Sequence, residues 1–472
     1  MFKLKDARAR SHDETSTPDD GSTGSKPTRP ALWHYLVDAG AILAMAAILF
    51  WGVSTQIPNQ YNDGTRYQCY AIAFWQSPAA LHTLGLDTNG NSQCAFLDAS
   101  SSSTLVDKMR ARHFPSFLVS LVASQPTTQA FHSLPPEYPL LTLIPFSLPL
   151  LTPMALYQVA FAILMAITAG ILYLVIARYR SRPAAIAFAF YLALGSWATA
   201  LGRFDLIPAG LALGALILAS KQRWNWAYLL LAVATLMKFY PAVLLPVFFI
   251  AQQKQLSGKW LAWSRWRSLG VFVGTCALVT LISLLLNVAD TLEPFAYFFN
   301  RPIQVESFPA TLLWFGQFVG RPVQYTFVYQ SLNFTSSLSS KVSLGSTFLL
   351  IVGLLYTFWL QWRDKLDIFT ASLLTLLIVV ILGKVFSPQY LMWVTPLIAY
   401  VGKSNWKWIV SWGAVAALTT FIYPFMYVTF PSMYTDNFHS QQYLVIVVRD
   451  LLILAIVCAL LYRASRTKLV LA

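Results

Sequence analysis

The chain has 472 residues, of which 57% are hydrophobic and 11% are charged, whereas soluble proteins have roughly 45–50% and about 25%. This composition excludes a water-soluble fold, and apolar runs that recur along the whole length predict an all-α polytopic membrane protein. The net charge of +14 does not indicate nucleic-acid binding, because the basic residues occur in short clusters between apolar segments.

Residues 1–32 are polar and mixed in charge, which predicts a disordered cytoplasmic tail and not a cleaved signal peptide. A transmembrane domain is predicted over residues 33–463, followed by a short cytoplasmic tail over residues 464–472. Its twelve or so hydrophobic segments lie near 35–54, 154–177, 183–201, 206–219, 226–237, 240–251, 268–287, 342–361, 367–383, 389–401, 406–428 and 441–462. Threaded alternately through the bilayer, they put 22 of the 33 Lys and Arg residues on one face, which the positive-inside rule assigns to the cytoplasm.

This threading predicts that both termini are cytoplasmic and that two long polar stretches, residues 55–153 and 288–341, form extracytoplasmic loops. The apolar stretch from Tyr138 to Leu151 is interrupted by prolines, which indicates a re-entrant or interfacial segment that enters from outside. Cys69 and Cys94 share the first loop, and the sequence leaves open whether they form a disulfide.

Ionisable residues near the ends of the predicted spans are the main functional signal, because charges are costly in a bilayer. By the predicted topology they all face outward: Asp63 and Glu137 with Tyr138 in the first loop, Arg203 with Asp205, Lys238 with Tyr240 and Lys384 with Gln389 in three turns, and Arg301, Gln304 and Glu306 in the second loop. Helix capping, local pairing or snorkelling explains any one of them. Independent structural roles, however, would be distributed over both faces of the membrane.

Transfer of a sugar from a polyprenyl phosphate needs a carboxylate to accept the hydroxyl proton and cations to hold the departing phosphate. Asp63 is the predicted catalytic base, and Arg203, Lys238, Arg301 and Lys384 are predicted to bind the donor phosphate. The predicted sugar- or acceptor-binding residues are Glu137, Tyr138, Asp205, Tyr240, Gln304, Glu306 and Gln389. No metal site is predicted, because no potential ligands have metal-binding spacing, and the reaction needs no cofactor.

The stretches that carry these residues are Asp63-Gly64-Thr65-Arg66-Tyr67, Glu137-Tyr138-Pro139-Leu140, Arg203-Phe204-Asp205-Leu206-Ile207-Pro208-Ala209, Lys238-Phe239-Tyr240-Pro241, Arg301-Pro302-Ile303-Gln304-Val305-Glu306-Ser307 and Lys384-Val385-Phe386-Ser387-Pro388-Gln389-Tyr390. Together they resemble the signature stretches of glycosyltransferase family 87, whose members are GT-C-fold mannosyltransferases that use polyprenol phosphate mannose. The resemblance implies an inverting transfer on the extracytoplasmic side, with an aspartate of the first outer loop, here Asp63, as the general base.

Two departures from the family pattern matter. The family's Tyr-Pro-Pro-Leu is Tyr138-Pro139-Leu140-Leu141 here, and the long first loop also contains Asp87, Asp98 and Asp107, so the sequence leaves open which carboxylate is the base.

The predicted function is a hexosyltransferase of the cell membrane, with a polyprenyl phosphate sugar as donor and a lipid or glycan as acceptor. Mannose is favoured by the resemblance alone. The alternative is a transporter or flippase of lipid-linked sugars, which commonly contains an internal repeat that this sequence does not show convincingly.

Overall fold

The computed structural model of the chain describes residues 32–57, 62–86, 94, 106–107, 110, 115–123, 133–329, 331–427 and 442–466. The predicted cytoplasmic tails therefore lie almost entirely outside the described residues, as do Asp87 and Asp98 of the first loop.

The fold consists mainly of α-helices joined by short turns. In chain order the helices are α1 Leu32–Ser54, α2 Asp63–Gln76, α3 Ala79–Thr83, α4 Ser116–Ala123, α5 Leu143–Ser147, α6 Tyr157–Tyr179, α7 Arg182–Gly195, α8 Leu206–Ser220, α9 Trp224–Met237, α10 Leu245–Gln255, α11 Trp263–Leu286, α12 Val288–Asn300, α13 Phe308–Gly316, α14 Ser339–Trp362, α15 Ile368–Leu382, α16 Leu391–Gly402, α17 Trp406–Thr420 and α18 Tyr443–Arg466. A π-helical segment, Phe421–Met426, extends α17, and 3-10 turns include Leu140–Thr142, Leu148–Leu151, Tyr240–Leu244 and Pro388–Tyr390.

Each of the twelve predicted hydrophobic segments contains a helix, but their lengths differ. Within the described parts of the chain, six helices are long and apolar enough to cross a membrane: Trp33–Ser54, Met154–Tyr179, Trp263–Leu286, Ser339–Trp362, Trp406–Met426 and Tyr443–Arg466. A helix such as α8, with 15 residues, rises roughly 22 Å at ~1.5 Å per residue, less than the ~30 Å of the hydrocarbon core. The protein is therefore a helical membrane protein with six candidate spans, and twelve crossings remain a prediction.

The basic turns between the helices lie together at one end of the bundle. Four contacts join them: Arg182 Nε to Asp38 Oδ2 at 3.0 Å, Arg180 Nε to the Tyr400 carbonyl at 2.8 Å, the Lys254–Asp364 ion pair, and Lys365 Nζ to the Ser465 carbonyl at 2.5 Å. The opposite ends of the same helices carry the acidic and basic residues that the sequence singled out.

Helix α7 lies in the interior of the bundle and packs against α1, α6, α16 and α17. Small residues make this possible, because they let helix backbones approach closely. A Cβ atom added at Gly195 would lie 2.8 Å from the Ala416 Cβ atom in α17. At Gly52 in α1, an added Cβ would lie 2.0 Å from the Trp197 carbonyl oxygen. Only glycine at this position therefore lets α1 pack against the turn between α7 and α8.

The second predicted loop contains a small antiparallel sheet, which the sequence did not predict. The strands β1 Ile303–Gln304, β2 Gln324–Val328 and β3 Ser331–Thr335 are arranged in the order β1-β3-β2. Gln304 pairs with Asn333, and Tyr325 pairs with Phe334. The fold is otherwise helical, and the sheet presents Gln304 to the central cavity.

In the first predicted loop, Leu140–Leu151 is divided into three short helical pieces. Prolines at positions 145 and 149 remove backbone donors there, so one continuous helix does not form. Cys69 in α2 and Cys94 form a disulfide that ties the middle of the loop back to α2.

Candidate active site

A cavity of about 420 Å³ lies where the three predicted turns meet both loops. Eleven of the twelve predicted site residues line it: Asp63, Glu137, Tyr138, Arg203, Lys238, Tyr240, Arg301, Gln304, Glu306, Lys384 and Gln389. The short helices α7, α8, α9 and α15 end or begin at this cavity. Because these helices stop early, their turns enclose a space among the helix ends.

Asp63 is the first residue of α2 and is held by local capping. The Asn62 side chain accepts a hydrogen bond from the Thr65 backbone N–H at 2.9 Å and donates to Gln158 Oε1 at 2.8 Å. Asn is a favoured N-cap, and a helix N-terminus stabilises a negative charge. The sequence therefore places an anionic side chain at a helix end that favours its ionised form.

Two arginines surround the Asp63 carboxylate. Arg203 Nη2 lies 2.5 Å from Asp63 Oδ2, and Arg66 Nη1 lies 3.4 Å from Asp63 Oδ1. Burial alone raises the pKa of Asp63, but the positive charges of Arg203, Arg66 and Lys238 outweigh it, so the pKa lies below its ordinary value. Asp63 is consequently ionised at neutral pH and able to accept a proton.

Glu137 also pairs with Arg66, whose Nη1 lies 3.2 Å from Glu137 Oε2. Arg66 thus bridges the two acidic residues of the first loop. Arg66 lies within one of the family-like motifs, but the sequence predicted no role for it. The spacing of three residues between Asp63 and Arg66 could have indicated this contact, because residues three apart on a helix share one face.

Arg203 extends from the turn between α7 and α8 to the turn after α15. Its Nη1 donates a hydrogen bond to Gln389 Oε1, which also accepts one from the Ser387 hydroxyl at 2.8 Å. Arg203 therefore contacts the carboxylate of Asp63 on one side and Gln389 on the other.

Asp205 is the one predicted site residue that does not line the cavity, and its contact with sugar or acceptor stays a prediction. It is fully buried and accepts hydrogen bonds from Lys238 Nζ at 2.5 Å and from Trp393 Nε1 at 2.6 Å. The Lys238 ammonium also lies 5.3 Å from the centre of the Trp393 ring. Asp205 thus contacts the Lys238 ammonium, which lies at the cavity wall.

Arg301 reaches the cavity with little charge compensation. Its guanidinium lies 5.5 Å from the Tyr297 ring centre, and its buried Nε atom has no hydrogen-bond partner among the described residues. The raised pKa of Arg301 reflects a burial effect that lowers it and a larger opposing effect of Tyr297, Tyr390 and Glu137. A buried donor without a partner is costly, and an anionic ligand would satisfy it.

Lys384 is joined to the second loop through the backbone, because its carbonyl accepts a hydrogen bond from the Gln304 N–H at 2.9 Å. The Gln304 Oε1 atom is buried and has no hydrogen-bond partner in the described part of the chain. This amide therefore offers an unused acceptor to a ligand in the cavity.

Glu306 lines the cavity but is held from behind by α18. Arg449 Nη1 lies 3.2 Å from Glu306 Oε2, and the Tyr427 hydroxyl donates to Glu306 Oε1 at 2.8 Å. Burial raises the pKa of Glu306, although Arg449 partly opposes the effect. Arg449 also pairs with Asp450 at 3.0 Å. The sequence predicted no role for Arg449 or Tyr427, because both lie more than 100 residues from Glu306 along the chain.

Aromatic rings form one wall of the cavity. Trp393 stacks between Tyr240 and Tyr390, with ring centres 4.1 Å and 3.7 Å apart. Tyr138 packs edge to face on Phe204 at 5.1 Å. Such surfaces offer an apolar face and polar edges, which suit a sugar ring. The role of Trp393 was missed, since one Trp among many in an apolar sequence carries no local signal.

The other predicted features have mixed outcomes. Asp107, another candidate for the catalytic base, is exposed and pairs with Arg110 at 3.7 Å. It does not line the cavity. No group of three or more His, Cys, Asp or Glu side chains with the geometry of a metal site occurs among the residues with described positions. Metal-independent chemistry remains a prediction.

A charged cavity at one end of an apolar helix bundle defines a membrane protein with a ligand site among its helix ends. The sequence profile of glycosyltransferase family 87 matches residues 137–388, and the chain belongs to this family. It is therefore a membrane glycosyltransferase. The matched region contains Glu137, Arg203, Lys238, Arg301 and Lys384, whereas Asp63, Gln389 and Arg449 lie outside it. No curated protein matches the chain in sequence.

Proposed function

We propose that this glycosyltransferase moves a hexose, preferentially mannose, from a polyprenyl phosphate to a hydroxyl of a lipid or glycan acceptor on the extracytoplasmic face. The proposal is carried by one observation: the Asp63 carboxylate and the Arg301 guanidinium, whose Nε atom has no hydrogen-bond partner among the described residues, line the same cavity. The first suits deprotonation of a hydroxyl, and the second suits a phosphate.

The charge of the cavity supports a phosphate-bearing donor. The cavity is lined by five cationic side chains, those of Arg66, Arg203, Lys238, Arg301 and Lys384. It is also lined by three acidic side chains, those of Asp63, Glu137 and Glu306. Cations that exceed carboxylates at a partly desolvated site stabilise the charge that develops on a departing phosphate. The same excess would disfavour a cationic ligand.

An apolar wall supports a lipid-linked donor. Val243, Leu350 and Val379 line the cavity where α14 and α15 form its side. On α14, Leu344 and Phe348 are exposed apolar side chains, as expected of a helix that faces lipid. A polyprenyl chain lying between these helices would bring its phosphate to the cations without leaving the bilayer.

The residues suggest a single displacement. The acceptor hydroxyl oxygen bonds to the anomeric carbon, and its proton goes to the Asp63 carboxylate. The bond from that carbon to the phosphate oxygen breaks, and its electron pair leaves with the lipid phosphate, held by Arg301, Lys384 and Lys238. Attack opposite the leaving group inverts the anomeric centre. Because the cations neutralise the phosphate, the proposed mechanism needs no general acid, metal ion or cofactor.

The proposed orientation places the basic end of the bundle in the cytoplasm, with both termini, and the cavity outside. The Cys69–Cys94 disulfide supports it, because disulfides persist mainly in oxidising compartments. In intact cells, a membrane-impermeant maleimide should label Arg321→Cys in the second loop and should label Lys259→Cys only after permeabilisation. Both positions are exposed. The reverse pattern would contradict the orientation.

Reconstitution separates transfer from transport. Purified wild-type protein in liposomes with polyprenyl phosphate mannose and a mixture of membrane lipid acceptors should produce a glycosylated lipid of inverted configuration, with EDTA present or absent. Polyprenyl phosphate glucose tests the choice of hexose. Movement of the donor across the bilayer without any transfer or release of sugar would contradict the proposal and favour a flippase.

A further inference from the structure

A second chamber, of about 160 Å³, lies beside the main cavity. The residues that line both spaces are Asp63, Arg66, Thr199, Arg203 and Tyr423. The Asp63–Arg203 ion pair therefore forms part of the wall between them, and the Asp63 carboxylate is bordered by space on two sides. The smaller chamber is well below the ~300 Å³ at which sites for whole drug-sized ligands begin, which suits a single ring or head group.

The rest of this chamber is lined by apolar residues, which include Val53, Ile57 and Phe161, and by three neutral polar side chains, those of Gln56, Asn62 and Gln158. Gln56 and Tyr423 are joined by a hydrogen bond of 3.1 Å from the Tyr423 hydroxyl to Gln56 Oε1, and Gln158 donates to the Thr65 hydroxyl at 2.9 Å. The amide of Asn62 completes the set. Amides and hydroxyls both donate and accept, which matches the alternating needs of a polyol.

Thr199 provides an unused hydrogen-bonding group where the chamber meets the main cavity. The residue is 4% exposed, and its Oγ1 atom is buried and has no hydrogen-bond partner among the residues that the structure describes. A buried hydroxyl that is left unpaired costs free energy. A ligand hydroxyl at this junction would satisfy it and would lie beside Asp63.

The electrostatic balance distinguishes the two spaces. Both cations of the shared wall are already in ion pairs: Arg203 with Asp63, and Arg66 with Asp63 and with Glu137, which lines only the main cavity. Arg301 forms no salt bridge with a described residue and lines only the main cavity, as does Lys384. An anionic lipid phosphate is thus favoured in the main cavity, and an uncharged ring is favoured in the chamber.

We propose that the small chamber is the acceptor subsite and binds a neutral polyol ring, such as a sugar or cyclitol, with one hydroxyl directed at Asp63. This inference rests on the glycosyl transfer proposed above. In that reaction the ring lies in the chamber and its hydroxyl extends past Thr199 into the main cavity, where it loses its proton to Asp63. Its oxygen bonds to the anomeric carbon of the donor as the bond from that carbon to the phosphate oxygen breaks and the lipid phosphate leaves. Donor and acceptor would then approach the same carboxylate from different sides.

The test is a steady-state comparison of the double variant Gln158→Leu/Tyr423→Phe with wild type. Gln324→Leu is the matched control, because Gln324 is exposed on β2 and does not line the chamber. Loss of two hydrogen-bonding groups should raise the acceptor KM roughly tenfold without a matching rise in the donor KM. The ratio of transfer to donor hydrolysis by water should fall by a similar factor.

The hydrolysis measurement separates acceptor binding from a structural effect. Gln158 also contacts Asn62, which caps the helix of Asp63, so displacement of Asp63 would reduce hydrolysis and transfer in parallel. An unchanged acceptor KM, or a transfer-to-hydrolysis ratio equal to that of wild type, would overturn the subsite assignment. Wild-type protein that neither transfers nor hydrolyses any lipid-linked sugar would instead overturn the proposed function itself.

Discussion

Replacing Asp63 with Asn is expected to reduce sugar transfer by about 10²–10⁴-fold, the range that general-base catalysis contributes. The amide occupies the same space but cannot accept the hydroxyl proton. Because Asp63 is the first residue of a capped helix and contacts Arg203 at 2.5 Å, its position is well defined before any substrate binds. Single-turnover transfer from a radiolabelled polyprenyl phosphate sugar would measure the loss.

Asp107→Asn is the matched control for this prediction. Asp107 belongs to the same loop and was a candidate for the same role, but it is exposed and pairs only with Arg110 among the contacts described. Its replacement should leave transfer within twofold of wild type. Removing Asp63 also unbalances the buried Arg203, so thermal unfolding must be compared with wild type. Near-normal transfer by a folded Asp63→Asn protein would exclude Asp63 as the base.

Replacing Arg301 with Ala is expected to lower kcat by about 10²–10³-fold, the effect of losing one charge-stabilising donor, and to raise the donor KM. Arg301 forms no salt bridge with a described residue, so its guanidinium is available to a phosphate without first breaking an ion pair. Arg301→Lys should recover only part of the activity, because an ammonium replaces the charge and not the planar fork of donors.

Arg321→Ala serves as the control, since Arg321 is exposed in the same loop and lies away from the cavity. Initial rates over a range of donor and acceptor concentrations would separate the two KM values. If Arg301→Ala raised only the acceptor KM, Arg301 would belong to the acceptor site and the proposed division of the cavity would be wrong.

The pairing of the charged residues shows where sequence reasoning stops. Asp205 and Lys238 were both assigned to substrates, yet the structure joins them to each other. Glu306 was likewise assigned to the sugar or acceptor, although Arg449 and Tyr427 hold its carboxylate from behind. A sequence identifies charges that are unusual near membrane spans, but it does not show which of two distant charges will neutralise the other.

Composition and local chemistry were sufficient for several conclusions. The membrane class follows from the free energy of burying apolar residues, and the helix positions follow from the lengths of apolar runs. Motifs in the turns and in the two predicted loops identified eleven residues of one cavity, because helices of an antiparallel bundle return their connections to the same end. These properties depend on short segments, each of which can be read by itself.

Only the tertiary structure decided which of these residues face a ligand and which hold a neighbour. In that structure Asp205 contacts Lys238, and the loop that carries Gln304 is hydrogen-bonded to Lys384. Asp63 lines two separate spaces. The structure also contains a small sheet, which the sequence did not predict. These features depend on distances between residues far apart in the chain, which are set when the helices pack and not by the pattern of any single segment.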